Sequence, residues 1–191
     1  VSKVIRYKGV AAHAAGAPHL GVNALNAASL GLSALAYQRE TFRDNDHVRI
    51  HPIITKGGNL VNVVPDEVVI ETLVRAANKD AIADAAAKTD RAFRSGAYAI
   101  GAQCQITTMP GYLPALSAEA NEEVLASAQI ASQSSKKDYE VVKQDTTAHS
   151  GGSTDVGDVQ PLQPVLTFNT GGKVSGLHSV DFDVVDDELA Y

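Results

Sequence analysis

Residues 3–8 read Lys, Val, Ile, Arg, Tyr, Lys, the alternation of a half-buried strand. A loop of small residues follows over 9–16 and carries His13, with Pro18 and Gly21 just beyond. Over 22–41 the apolar positions fall at Val22, Leu25, Ala28, Leu32, Leu35 and Ala36. These steps of three and four predict an amphipathic helix. Residues 48–55 read as a second strand, and Pro52 confines it to an edge or a bulge, because proline cannot donate to a ladder. Lys56-Gly57-Gly58-Asn59 is turn chemistry. A β-branched strand follows at 68–75. An alanine-rich helix spans 81–98, with Asp80 near its start, and a short strand spans 102–108.

Strand, helix, strand, strand, helix, strand is the ferredoxin-like split βαβ order, an α+β fold. The proline-rich stretch Met109-Pro110-Gly111-Tyr112-Leu113-Pro114 then interrupts the chain. Beyond it, Ser117 is placed to cap a helix running to about 132, with Glu119 early in it. Residues 139–142 suggest a strand. Gly151-Gly152-Ser153-Thr154-Asp155 leads into a short helix, 165–168 reads as a buried strand, and 169–178 is a glycine-rich loop ending at His178. The expected division is 1–112 and 113–191, the second part being an incomplete portion of an α/β domain. The chain starts at once in strand pattern without Met and stops after Asp186-Asp187-Glu188-Leu189-Ala190-Tyr191, so the expectation is a chain cut at both ends.

Composition narrows the function. The 191 residues are 45% hydrophobic with 16 Lys+Arg against 22 Asp+Glu, enough apolar matter for a core and too acidic for a surface devoted to nucleic acid. No apolar run reaches the roughly 20 residues of a membrane span. Cys104 is the single cysteine, so an internal disulfide is excluded and a cytoplasmic location is expected. In its strand Cys104 reads as a small core residue.

No helical His pair, His-Glu-x-x-His, P-loop or nucleophile elbow occurs. What remains are polar residues among loop glycines: His13, Asn59 and Asn62, Ser153-Thr154-Asp155, and His178-Ser179. Read plainly, Asn62 serves a turn before Pro65, Asp155 stabilises a helix N-terminus, and His19, His47, His51 and His149 are structural or solvated.

The segment Gly9-Val10-Ala11-Ala12-His13-Ala14-Ala15-Gly16-Ala17-Pro18, followed by Gly21-Val22-Asn23-Ala24-Leu25, resembles the opening of the lid, or dimerisation, domain of the dinuclear zinc carboxypeptidase/amidohydrolase family. Gly57-Gly58-Asn59-Leu60-Val61-Asn62-Val63-Val64-Pro65-Asp66 with Val74-Arg75-Ala76 resembles that domain's second half. Gly152-Ser153-Thr154-Asp155-Val156-Gly157-Asp158-Val159 is similar to a catalytic-domain segment of the aminobenzoyl-glutamate hydrolase and amidohydrolase branch. Gly176-Leu177-His178-Ser179 is similar to the family's last metal-ligand loop.

The resemblance implies a metal-dependent amidohydrolase or peptidase that cleaves the amide of a small N-acyl-amino-acid or dipeptide-like substrate by metal-bound hydroxide. It implies two zinc ions in the complete parent, with His178 as a ligand, and a homodimer formed through the lid. His13 would enter the partner's site and donate to the oxyanion. Asn62 and Arg75 would bind substrate, and Ser153 and Asp155 would shape the shell around the metals. The family's His-x-Asp segment, bridging Asp and Glu-Glu pair precede the lid and are missing here, since Glu122-Glu123 follows it. The expectation is therefore a chain that is inactive and holds no stoichiometric metal by itself. Residues 107–116 contain no basic residue for a substrate α-carboxylate, which favours the broader amidohydrolase branch. The alternative is a non-enzymatic ferredoxin-like module for dimerisation or small-molecule binding.

Overall fold

Strand β1 (Ser2–Lys8) lies at the centre of a four-stranded sheet completed by β2 (Arg49–Lys56), β3 (Glu67–Arg75) and β4 (Gln103–Met109). The spatial order is β2-β3-β1-β4, and every neighbouring pair is antiparallel. Helices α1 (Ala24–Tyr37) and α2 (Lys79–Ile100) connect the strands. This is the ferredoxin-like βαββαβ arrangement expected from the sequence. The computed structural model describes residues 1–116, 122–134, 152–165 and 178–185.

The helices cover one face of the sheet. Ile5 and Tyr7 of β1 stand opposite Ile70 and Val68 of β3, and all four are buried with Ala27, Ala28, Ala92 and Phe93 of the helices. Tyr7 donates from its hydroxyl to the Phe93 carbonyl at 2.7 Å, which satisfies a polar group that burial would otherwise penalise. Burial also pushes the Tyr7 phenol above its ordinary range. Lys3 shares this inward face and is 2% exposed. Its ammonium meets Asp90 at 2.7 Å and donates to the Thr108 hydroxyl at 2.9 Å. Hydropathy alone turns Lys3 outward. The strand's two-residue period puts it inward, and α2 supplies the counter-charge.

Gly31 of α1 and Gly96 of α2 bring the helices together. A Cβ on Gly96 would overlap the Ala27 carbonyl oxygen and the Gly31 backbone, and one on Gly31 would overlap the Tyr7 hydroxyl.

The elements end where local chemistry dictates. Asn23 caps α1, accepting from the backbone of Leu25 and Asn26, and Asn78 caps α2 through Ala81. The helix expected over 22–41 is α1 plus a tighter 3-10 turn, Gln38–Thr41. Strand β2 is an edge strand, as Pro52 requires, with a bulge between Ile54 and Lys56. On the open face Glu67 is gripped by Lys56 and Arg6. Hydrogen bonds from Lys56 first and Arg6 second hold its carboxyl down at about 2. Cys104 faces the helices, half-buried, and burial pushes its thiol up.

The chain divides into two compact units, Val1–Ala115 with Gly152–Asp158, and Leu116–Gly151 with Val159–Tyr191. The first contains the sheet. The second includes α3 (Glu122–Ser134), whose Glu122 and Glu123 are exposed. The short helix expected after Asp155 is α4 (Val156–Val159). The expected cap at Ser117, the strand at 139–142, most of that at 165–168, His149 and most of the loop before His178 lie outside the described residues. Among the described residues no helix is long and apolar enough to cross a membrane.

Candidate functional site

Where β1 ends and β3 begins, two turns lie side by side. In the first, the Ala17 N–H returns to the His13 carbonyl at 3.0 Å. In the second, the Val63 N–H returns to the Leu60 carbonyl at 3.3 Å, which puts Val61 and Asn62 at the two central positions. Gly58, with φ of 127°, opens this loop in a conformation that side-chain-bearing residues avoid.

The backbone stitches the turns together. Ala14 N–H donates to the Asn62 carbonyl at 2.9 Å, and Val64 N–H donates to Ala12 at 2.9 Å. His13 and Val63 face each other in an isolated antiparallel bridge. Below them Gly9 N–H reaches Asp66 at 2.7 Å, and Ala24 at the start of α1 reaches Pro65 at 2.8 Å. The loop of small residues is thus anchored by main-chain bonds, and its methyl-sized side chains permit that close approach.

His13 is exposed, yet its ring is held. Nδ1 accepts from the Gly16 N–H at 3.0 Å and from the Ala15 N–H at 3.2 Å. A ring nitrogen that accepts two backbone donors carries no proton, so the neutral ring has its N–H on Nε2. That N–H faces away from the turn. Asn62 is exposed as well, and its side-chain amide has no hydrogen bond among the described residues. A neutral donor held on a rigid backbone can stabilise negative charge developing on an oxygen.

The remaining expected site residues lie elsewhere. Arg75 is exposed at the far end of β3, opposite Arg49 of β2, a full strand length from the turns, or roughly 25 Å at about 3.3 Å per residue. Ser153 and Asp155 are exposed in the segment leading to α4, where the Thr154 hydroxyl donates to the Asp155 carboxylate at 3.0 Å. This segment is tied to the strap after β4. Asp158 accepts from the Leu113 N–H at 2.8 Å, and a Cβ on Gly157 would overlap the Leu113 carbonyl oxygen. That strap leaves β4 where Gly111 nears Val1, at the Arg75 end of the sheet. His178 lies in the second unit, exposed and left-handed, with φ of 66°. The structure therefore puts His13 and Asn62 on two turns joined by the Ala14–Asn62 main-chain bond, with Val63 opposite His13. Within the first unit it places Arg75, Ser153 and Asp155 at the other end.

Sequence reasoning singled out His13 and Asn62 separately and did not see the backbone bond from Ala14 to Asn62 that joins their turns. It also passed over Gly157 and Asp158 as anchors of the strap. For these the only sequence sign was a glycine next to a carboxylate in a helix too short to need either.

A family model described as the peptidase dimerisation domain matches residues 2–99. The chain is 33% identical over 102 residues to the Xaa-Arg dipeptidase of Mus musculus, covering 53% of this chain and 23% of that protein. It is 39% identical over 72 residues to one of the p-aminobenzoyl-glutamate hydrolase subunits of Escherichia coli, covering 37% of this chain and 15% of that one. The chain thus spans less than a quarter of the length of these curated relatives. In fold it is similar to the aminopeptidase PepT of Bacillus cereus, with a TM-score of 0.55, 22% identity, and coverage of 84% of this chain and 40% of that one. It is also similar to an aminobenzoyl-glutamate utilization protein of Klebsiella pneumoniae, with a TM-score of 0.54, 22% identity, and coverage of 64% and 30%.

Proposed function

Because the chain belongs to the M20 peptidase dimerisation-domain family, we propose that it is the lid of a metal-dependent amidohydrolase or peptidase, in which His13 of one protomer supports the oxyanion in the site of another. Residues 113–191 are, in the same reading, the C-terminal part of the catalytic domain. The single observation that carries it is the ring of His13: Nδ1 is capped by two backbone donors, which leaves the N–H on Nε2 of an exposed side chain.

The chemistry follows from that placement. When a nucleophile adds to the scissile carbonyl of an N-acyl-amino-acid or dipeptide-like substrate, the carbonyl oxygen gains charge. A pre-aimed Nε2–H meets this charge with no reorganisation, and one such donor contributes about 3–4 kcal/mol to the transition state. The Asn62 amide, on the adjoining turn, would bind another polar group of the substrate. Arg75, at the far end of β3, would hold a more distant substrate carboxylate or anchor the lid strand.

Peptidases of this family are metal-dependent. Among the described residues no group of three or more His, Cys, Asp or Glu is placed to hold a metal ion, and a catalytic zinc needs about three protein ligands. These residues do not fit a metal site by themselves. In the complete protein His178 is the ligand this chain would contribute, Ser153 and Asp155 would shape the shell around the metals, and zinc is the ion proposed.

A homodimer is supported by the open outer edge of β2, where Ile53 and Ile54 are exposed, and by Leu30 and Tyr37 exposed on α1. An unpaired edge beside apolar side chains favours a second copy over water. A cytoplasmic location belongs to the same proposal, from a lone cysteine.

The test is complementation in the complete protein. His13→Ala and His178→Ala are each expected to lose activity by at least about a hundredfold. Mixed in equal amounts, they should recover roughly a quarter of wild-type activity, because half the dimers are mixed and each of those holds one intact site. Mixed dimers that form and stay inactive would overturn the assignment of His13 to the partner's site.

A further inference from the structure

We propose that Glu67 is a positioning residue: with Lys56 and Arg6 it fixes the two joined turns, one carrying His13 and the other Asn62, to the edge strand β2. This rests on the reading of His13 and of the homodimer given above. It adds what keeps His13 in register with the partner's site.

The main chain leaves a gap at this point. The β1–β3 ladder runs on to Lys8 and Glu67. The turns continue it, through the bonds from Gly9 to Asp66, Val64 to Ala12 and Ala14 to Asn62. The β2–β3 ladder stops earlier, at Lys56 and Val69. Among the described residues, every main-chain hydrogen bond that leaves 57–66 goes to residues 9–24, and none goes to β2. Along the chain, Gly57 and Gly58 alone lead from β2 into the second turn. Glycine's conformational freedom makes that joint soft.

Side chains span the joint. Lys56 ends β2 and Glu67 begins β3, so they stand on either side of the loop, and they are paired. One carboxylate oxygen of Glu67 takes Lys56 and the other takes Arg6 of β1. Glu67 thus joins three strands at a level where the ladder joins two. Residues 9–22 and 57–65 contain no Lys, Arg, Asp or Glu, so the loops hold no ion pair of their own that could replace it. Lys8, opposite Glu67, is exposed and makes no ion pair among the described residues. It lies on β1, so pairing it with Glu67 would still leave β2 untied.

The consequence reaches the partner. A second copy pairs on the β2 edge, in the reading above, and His13 acts in that copy's site. Without the Glu67 bridge, the end of β2 and the turns can shift against each other about the two glycines. A misplacement of about 1 Å can cost about a hundredfold in rate. Exposed ion pairs add little to global stability, so the loss is expected in kcat and not in the melting point.

The experiment uses the complete protein and the faster of two probes, N-hexanoyl-L-alanine and L-alanyl-L-alanine. Glu67→Gln keeps one acceptor oxygen and cannot hold both cations. Lys56→Met removes the β2 tie and leaves Arg6 in place. Each is expected to lower kcat about tenfold with KM within about twofold of wild type, whereas Lys56→Arg should stay within about twofold in both. Nicking by subtilisin within the exposed residues 57–61 should quicken about tenfold in the two impaired variants. That difference should narrow in about 1 M NaCl, where wild-type pairing is screened. Thermal melts and sedimentation verify that the variants fold and dimerise. Unchanged kcat, a rise in KM alone, an unchanged nicking rate, a Lys56→Arg loss equal to that of Lys56→Met, or variants that sediment as monomers would each overturn the inference. His13→Ala run alongside separates the two levels. If it collapses kcat while the Glu67 and Lys56 variants do not move it, only the positioning role is wrong. If it leaves kcat unmoved, or if neither probe is hydrolysed, the underlying reading has failed and this inference falls with it.

Discussion

The space between α1 and α2 and the pair of turns at the end of the sheet are built by opposite means. Between the helices, side chains decide everything: Tyr7, Phe93 and the alanines interlock, and Gly31 and Gly96 leave no room for a methyl group. In the turns the main chain does the holding, through the bonds joining Ala14 to Asn62, Val64 to Ala12 and Gly9 to Asp66. His13, Asn62 and Val61 are left exposed on top. A region that spends its side chains on packing cannot offer them to a substrate. A region held by its backbone can, and its exposed residues are free to change without unfolding the domain.

The largest test of this contrast is Gly96→Ala. The new Cβ would strike helix backbone, so a loss of about 3 kcal/mol is expected, read as the urea midpoint of this chain. A loss under about 0.5 kcal/mol would mean that the helices are not so closely packed. Next is Lys3→Met, which leaves Asp90 without its cation. A pair of this kind costs about 3–5 kcal/mol to break when fully buried. Since Asp90 is about one-third exposed, about 2 kcal/mol is expected.

A smaller effect, on the open face, concerns Glu67. Its carboxyl is depressed to about 2 by Lys56 and Arg6, against an ordinary value of 4.5. Its contribution to stability is therefore complete above the ordinary value and is lost as pH falls from 4.5 through about 2. Glu67→Gln should flatten the acid limb of the stability curve over that window and change nothing near neutrality beyond the loss of the pair itself. An acid limb identical to wild type would remove this pair from the account. The smallest effect should be His13→Ala. The turn keeps its backbone bonds, so the melting point should shift by an amount equivalent to less than about 0.5 kcal/mol, although activity of the complete protein is expected to collapse. A large loss of stability would show that the turns rely on side chains after all.

Much of the fold was legible from periodicity. The strand containing Tyr7, the edge position imposed by Pro52, the alanine-rich helix and the βαββαβ order all follow from local rules. The burial of Lys3 did not follow, because its partner Asp90 is distant in sequence and only the packing of α2 on β1 brings them together. The 3-10 ending of α1 depends on how residues 38–41 turn toward β2, which no periodicity records.

The candidate site was legible as residue types and partly as family resemblance. What remained hidden was relation. The donors to His13 Nδ1, Ala15 and Gly16, are its sequence neighbours, but nothing local reveals that Asn62 lies one backbone bond away from Ala14. By itself the sequence determined the element order, the family and the uncharged character of the two loops, because these depend on residue types and their spacing along the chain. Only the tertiary structure decided that the turn carrying Asn62 is bonded to the turn carrying His13, and that Arg75 stands at the opposite end of the sheet. Hydrogen bonds and strand register act between residues that meet only once the chain has folded.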